Sequence, residues 1–363
     1  MILFIGDGMG PAQRTGARWQ SVGQSGQLAM ETLSVSGWSS TASADSGITD
    51  SAAAGTAIAT GVKTNNGRIA VDPLANELTT ILELAKARGM SVGLVTTTQM
   101  AHATPAAFAA HVPDRNKMTE IAAQMLGTGV DVLLGSGEDE FLPSTESGCY
   151  PEPGERTDGR NLISEAATAG YTYVCDETGL NTVDPNSTTR LLGLFADEGM
   201  SRPFAPDLAA MTQKAIDILS RDPDGFFLMV EGGQIDWAGH INDAANAIGD
   251  TIDSDAAVAI GEAFASSNSD VLIIVTADHE TGGMDVGLTS SGLPGEDGPF
   301  WMPDGTPFYV NWATLGHTAS DVPTRAEGPW SDLLAGTNEN TRIIEAMNGA
   351  IDFWIWLPMA IGG

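Results

Sequence analysis

A three-layer α/β sandwich, with a mostly parallel central sheet and helices on both faces, is the fold this sequence predicts. Three observations carry that expectation. Short β-branched runs alternate with Ala-rich helical stretches along the chain, as in strands joined by crossover helices. Three of the predicted strands run directly into an acidic residue. No internal repeat and no convincing linker divides the 363 residues, so one domain over residues 1–363 is expected, large enough to bury a real core.

Taken in order, the first strand is expected over residues 2–5 and leads through Gly6 to Asp7. Thr49-Asp50-Ser51 precedes an Ala-rich run and reads as a helix start. There a hydroxyl or carboxylate either simply caps the helix or serves chemistry. A helix over 79–88 ends at Gly89, where a C-cap glycine belongs. Strands follow at 91–96 and 132–134, with helices at 119–126 and 207–220. The strand at 226–230 stops at Glu231. After a helix at 253–266, the strand at 271–276 passes Ala277 into Asp278-His279. Two Gly- and Pro-rich stretches, 144–160 and 282–315, read as loop excursions, the second placed to fold over a site. Cys149 and Cys175 either pair or remain separate thiols. The apolar tail over 353–361 is about half the length a membrane span requires and is expected at a core edge or an interface.

Charge narrows the partners. Asp and Glu total 47 against 16 Lys and Arg, a formal net charge of −31. Such a chain repels nucleic acid and anionic membranes, and it also repels an anionic substrate. A phosphate site must therefore reverse the field locally, which bound cations do well. The scarcity of lysine (Lys63, Lys86, Lys117 and Lys214) is consistent with a halophilic protein, for which salt screens self-repulsion.

The acids at the strand ends suggest where cations would sit. Ligands of an open parallel sheet bind beyond the carboxyl ends of its strands. One Asp there is usually a turn cap, but three carboxylates gathered together require cations among them. Asp236 and His240, four apart, share a helix face shortly after Glu231. Mixed His and carboxylate ligands suit zinc, whereas carboxylate and hydroxyl oxygens suit magnesium. A serine at a helix N-terminus faces the positive dipole end and free N–H groups, which favour both an alkoxide and a phosphate oxygen.

At these residues the sequence resembles the alkaline phosphatases. The matching stretches begin with Ile2-Leu-Phe-Ile-Gly-Asp-Gly-Met-Gly10, Thr49-Asp-Ser-Ala-Ala53, Thr60-Gly-Val-Lys-Thr64 and His102-Ala-Thr-Pro-Ala106 with Arg115. They continue with Val230-Glu-Gly-Gly-Gln-Ile-Asp236 and His240, Thr276-Ala-Asp-His-Glu-Thr-Gly-Gly283, Gly316-His-Thr318 and Asp321-Val-Pro323. The resemblance implies an alkaline-phosphatase-like fold and hydrolysis of phosphate monoesters through a phosphoseryl intermediate, with inorganic phosphate as product. It implies two Zn2+ and one Mg2+ per subunit. Asp236, His240 and His317 would hold the first zinc, and Asp7, Asp278, His279 and Ser51 the second. Asp7, Thr104 and Glu231 would hold the magnesium. Ser51 would be the nucleophile and Arg115 a bidentate phosphate clamp.

Two neighbouring positions depart from the best-known bacterial form, which carries Asp and Lys there. This chain has His102 and Trp237, as do some marine members. His102 would weaken the third site for hydrated magnesium or admit zinc, and Trp237 would remove a cation near phosphate. Trp237 could instead simply pack under the long loop. His111 matches no ligand position and is assigned to structure. The family also implies a homodimer, broad small-molecule specificity and a periplasmic or extracellular location, although no signal peptide is read at Met1 and no membrane span is expected. A phosphodiesterase or phosphomutase of the same superfamily is the nearest rival, and a non-catalytic metal- or phosphate-binding relative the other.

Overall fold

The computed structural model describes residues 1–360, with side chains over residues 1–351. Its first eight strands are β1 (Ile2–Gly6), β2 (Val35–Ser40), β3 (Ser91–Gln99), β4 (Val132–Ser136), β5 (Thr172–Val174), β6 (Leu191–Leu194), β7 (Phe226–Gly232) and β8 (Ile273–Ala277). The remainder are β9 (Glu280–Thr281), β10 (Asp285–Gly287), β11 (Asp297–Trp301), β12 (Pro307–Asn311), β13 (His317–Thr318), β14 (Val322–Glu327) and β15 (Gly336–Glu339). Ten of them form one sheet in the order β15-β2-β14-β8-β1-β7-β3-β4-β6-β5. Every pairing in it is parallel except those of β14 with β2 and β8. The five strands expected from sequence are all present and include the central run β8-β1-β7-β3-β4. The additional strands lie mainly toward the two edges, where burial leaves a weaker apolar signature.

Apolar residues alternate between the two faces of the sheet and seed two cores. Leu3 and Ile5 belong to one, with the Ala-rich helices Ser51–Thr60 and Ala103–Ala109. Ile2 and Phe4 belong to the other, with helices Leu208–Leu219 and Ala244–Ser266. This period of two makes a sheet covered on both faces. Helix Ala244–Ser266 starts well before residue 253 because Asp243 caps it, accepting from Asn246 N at 3.1 Å. Thr80 and Glu83 form a reciprocal capping box at the start of helix Ile81–Ala87, and Gly89 takes φ +85° after its end.

The stretch 282–315 departs from expectation. It contains an antiparallel sheet, β10-β12-β11, with Phe308, Val310 and Met302 packed on Ala244 and Ile248 of the long helix. Alternating apolar residues in β12 supply that core, and Gly and Pro mark only its turns. The sheet rests beside the helical layer, with Trp19 edge-on to Phe308 at 5.7 Å. Leu315, past its last strand, reaches the candidate site, with its carbonyl 2.6 Å from His240 Nδ1. The excursion near 144–160 carries Cys149, which forms a disulfide with Cys175. The apolar tail falls in helix Ile343–Ala360, and its side chains lie outside the described residues. No described helix is long and apolar enough to cross a membrane.

His111 has the structural place expected of it. Its Nδ1 lies 3.0 Å from the Ala70 carbonyl and its Nε2 3.0 Å from Glu83 Oε1. Both ring nitrogens face acceptors, so the imidazolium satisfies the site best. The Glu83 bond raises the His111 pKa above its ordinary 6.5. Burial pushes Glu83 up, but its hydrogen bonds from His111 and Thr80, with the His111 charge, together hold it below 4.5. The raised histidine contributes stability in full below pH 6.5 and loses it as pH rises through its folded pKa. The lowered carboxylate contributes above pH 4.5 and loses it as pH falls through its own. A His111→Gln variant is therefore expected to be destabilised more at pH 6 than at pH 9, by on the order of 1 kcal/mol. Equal melting-temperature losses at both pH values would reject the ion pair.

Candidate active site

Strand register gathers the acids. β1 lies between β7 and β8, with Ile5 opposite Glu231 and Gly6 opposite both Gly232 and Ala277. Asp7, Glu231 and Asp278 thus emerge at the carboxyl ends of three adjacent parallel strands. All three are fully buried. Among the described residues, both oxygens of Asp7, Glu231 Oε1 and Asp278 Oδ2 accept no hydrogen bond. Burial, followed by Asp278, Asp236 and Glu231, drives the Asp7 carboxyl well above its ordinary range. Burial also raises Glu231, against the hydrogen bond it accepts from Thr96. Leaving such charges unpaired costs several kcal/mol each, roughly, so the donor set fits cations. Thr104 adds a buried hydroxyl beside Glu231.

The histidines are aimed by backbone carbonyls. His240 Nδ1 is 2.6 Å from Leu315 O, and His317 Nδ1 is 2.8 Å from Thr49 O. A ring nitrogen against a carbonyl must carry the proton, which leaves each Nε2 free to ligate. Those two Nε2 atoms stand 3.1 Å apart, with Asp236 oxygens 3.3 Å and 3.4 Å away. Two lone pairs that close require a proton or a cation between them. The Asp236 bond pushes His240 up to about 9, and Asp236 raises His317 in spite of burial. Burial pushes Asp236 up, but the hydrogen bonds and charges of His240, His317 and His279 together hold it well below its ordinary value.

His279 joins the sets. Its ring stacks on His317 with centroids 3.5 Å apart. Its Nε2 lies 3.2 Å from Asp278, 3.5 Å from Asp7 and 3.3 Å from Ser51 Oγ. Burial lowers its pKa, which favours the neutral, ligating ring. Asp236–His279–His317, Asp7–Asp278–His279 and Asp7–His102–Glu231 each offer ligand atoms within 4.8 Å of one another. The two zinc sets that the resemblance separates therefore meet at His279, and Asp7 belongs to two of the three groups.

Ser51 is the first residue of helix Ser51–Thr60, and Asp50 is its cap, accepting from Ala53 N at 3.0 Å. The other Asp50 oxygen accepts from Gly67 N at 2.9 Å and from Arg115 Nη1 at 3.1 Å. Arg115 Nη2 donates to His102 Nε2 at 3.1 Å. Burial, then Arg115, pulls His102 down to about 3, so its ring is a neutral acceptor. Trp237 stands edge-on to His102 at 6.1 Å, and a Cβ on Gly199 would come within 2.2 Å of its ring. The tryptophan thus packs on the Gly199 backbone.

Sequence reasoning missed two positioning groups. Asp50 lay inside the recognised Thr-Asp-Ser stretch, but its bond to Arg115 spans 65 residues. Thr281 bonds Asp236 and lies 3.2 Å from His279 Nδ1. The carbonyls of Thr49 and Leu315 have no side-chain signature at all.

Comparison with known proteins agrees with this geometry. The alkaline phosphatase family model matches residues 1–300. Alkaline phosphatase 3 of Bacillus subtilis (strain 168) is 33% identical, covering 97% of this chain and 89% of that protein. Streptomycin-6-phosphate phosphatase of Streptomyces griseus is 35% identical, covering 97% and 90%. The solved structure of alkaline phosphatase from the Antarctic bacterium TAB5 has a TM-score of 0.83 at 30% identity, covering 97% of this chain and 98% of that one.

The buried acids generate a stability prediction. Chelation is expected to lower the melting temperature and added zinc to restore it, by roughly 2.7 kcal/mol at a hundredfold excess over Kd. An unchanged melting curve would show that the cluster holds no cation.

Proposed function

This chain belongs to the alkaline phosphatase family and hydrolyses phosphate monoesters, and we propose that Ser51 is its nucleophile and Arg115 its phosphate clamp. The observation that carries the proposal is Ser51 Oγ at a helix N-terminus, 3.3 Å from His279 Nε2 and beside the buried acids. Asp236, His240 and His317 suit one zinc, Asp7, Asp278 and His279 a second, and Asp7, Thr104 and Glu231 a magnesium. Bound there, such ions supply Lewis-acid polarisation and neutralise phosphoryl charge.

The protein's own groups account for the remaining steps. The dipole and free N–H groups of helix Ser51–Thr60 favour negative charge on Ser51 Oγ and on the phosphoryl oxygens. Asp50 and His102 hold the two ends of the Arg115 guanidinium, pre-orienting it for a bidentate contact. Ser51 Oγ attacks phosphorus, the ester oxygen leaves with its alcohol, and the serine is phosphorylated. Water then attacks the same phosphorus in line, Ser51 leaves, and inorganic phosphate departs.

His102 at the third set supports a site that takes zinc as well as magnesium. In one TAB5 alkaline phosphatase structure, a mutant with a histidine changed to aspartate has magnesium bound in the M3 site. The Cys149–Cys175 disulfide supports a periplasmic or extracellular location, where oxidising conditions preserve it. The net charge of −31 supports a salt-tolerant enzyme. A homodimer is proposed on family resemblance alone.

Two experiments test the proposal. Hydrolysis of p-nitrophenyl phosphate at about pH 9–10 with zinc and magnesium is expected to vanish in Ser51→Ala and after chelation; a folded Ser51→Ala enzyme with full activity would dismiss the nucleophile. A Trp237→Lys variant is expected to bind phosphate about tenfold more tightly and release it more slowly, since a cation joins the pocket. Unaltered phosphate affinity would remove Trp237 from the account of product release.

A further inference from the structure

Three of the few cations in this acidic chain converge away from the catalytic residues. Arg14 and Arg18, four apart, share one face of helix Pro11–Val22. Across from them, Arg325 on β14 pairs in register with Ser36 on β2, and Pro323 with Trp38, so these four residues line one face of the sheet. Helix and sheet enclose a cavity of about 210 Å³ lined by all three arginines, Trp38 and one acid, Glu31.

The acids near it are already engaged. Glu31 accepts from Arg18 Nη1 at 2.6 Å and from Leu28 N at 3.1 Å. Asp255 accepts from the backbone N–H groups of Ala29 and Met30 at 3.0 and 2.8 Å. Arg14 is only 3% exposed, yet among the described residues its Nε and Nη2 have no acceptor, and neither has Arg18 Nε. Burial lowers the Arg14 pKa to about 10, and Arg325 adds like-charge repulsion. Three guanidiniums and one carboxylate line the cavity, and Asp255 adds a second negative charge acting on Arg14, so positive charge still exceeds negative here in a protein whose net charge is −31.

We propose that this cavity binds a tetrahedral dianion, phosphate or sulfate, at a site separate from the catalytic one, through Arg14, Arg18 and Arg325. Forked guanidinium donors match such an ion, and its charge would satisfy the buried N–H groups. Roughly 10–15 Å³ of such space holds one water, so there is room for the ion and solvent. Trp38, 42% exposed, gives the cavity an aromatic wall. Inorganic phosphate is the product of the reaction, so one such ligand is formed by every turnover.

The test is calorimetric titration of the metal-loaded protein with sodium sulfate, then phosphate, against chloride at matched ionic strength. The expected result is saturable sulfate binding at about one per chain, weakened about tenfold by Arg325→Gln and by Arg18→Gln, the loss of one charged hydrogen bond. Arg115→Ala should leave it intact, and the Arg325→Gln enzyme should retain its hydrolysis of p-nitrophenyl phosphate. Phosphate should show one binding event more than Arg325→Gln displays. Heats equal to those of chloride would overturn the proposal. So would sulfate binding that survives both glutamine variants, or that disappears in Arg115→Ala and places the ion at the catalytic site.

Discussion

Three carboxylates with almost no solvent are held at the ends of β1, β7 and β8, and much of the site is organised around that. Strand register sets their separation, because Ile5 faces Glu231 and Gly6 faces Ala277. The sheet is covered on both faces, so the acids cannot rotate out to water. Only protons, hydrogen-bond donors or cations relieve the repulsion. Thr96 and Thr98 give Glu231 hydrogen bonds on one oxygen, but its other oxygen and both of Asp7 are left without donors. Metal binding and native stability are therefore coupled through the same atoms.

The groups around this centre act mainly by fixing direction. Backbone carbonyls orient His240 and His317, while Glu280 ties β9 to its surroundings through Gln13, Thr318 and the N–H groups of Gly283 and Met284. Small residues allow the close approach of the helices beside Ser51, where a Cβ on Gly55 would stand 3.0 Å from that of Ala107. Asp50 links helix capping to the orientation of Arg115, so a change there would disturb the surroundings of both Ser51 and Arg115. This economy suits a chain with few cations. Arg115 at the candidate site and the three arginines beside β14 are local reversals of a strongly negative field.

Much of the site was legible before any coordinates. The metal-ligand types follow from acids at strand ends and from histidines at helical or strand spacing, and resemblance assigned their sets. The central strands were legible because strands buried on both faces read as continuous apolar runs. β2, β5, β6, β14 and β15 were not, since short or half-exposed strands carry a mixed pattern. The sheet β10-β12-β11 was hidden by its turn residues, and its core forms only with Ala244 and Ile248.

By itself, then, the sequence determined the fold class, the nucleophile candidate and the chemical kinds of ligand, because periodicity and residue type are local properties. Tertiary structure alone decided that His279 is shared between clusters, that Asp50 steers Arg115, and that Cys149 meets Cys175. It also decided that Arg14, Arg18 and Arg325 face one cavity. Each of these depends on residues distant in the chain being brought within a few ångströms, and on burial raising the energetic cost of leaving their charges unmatched.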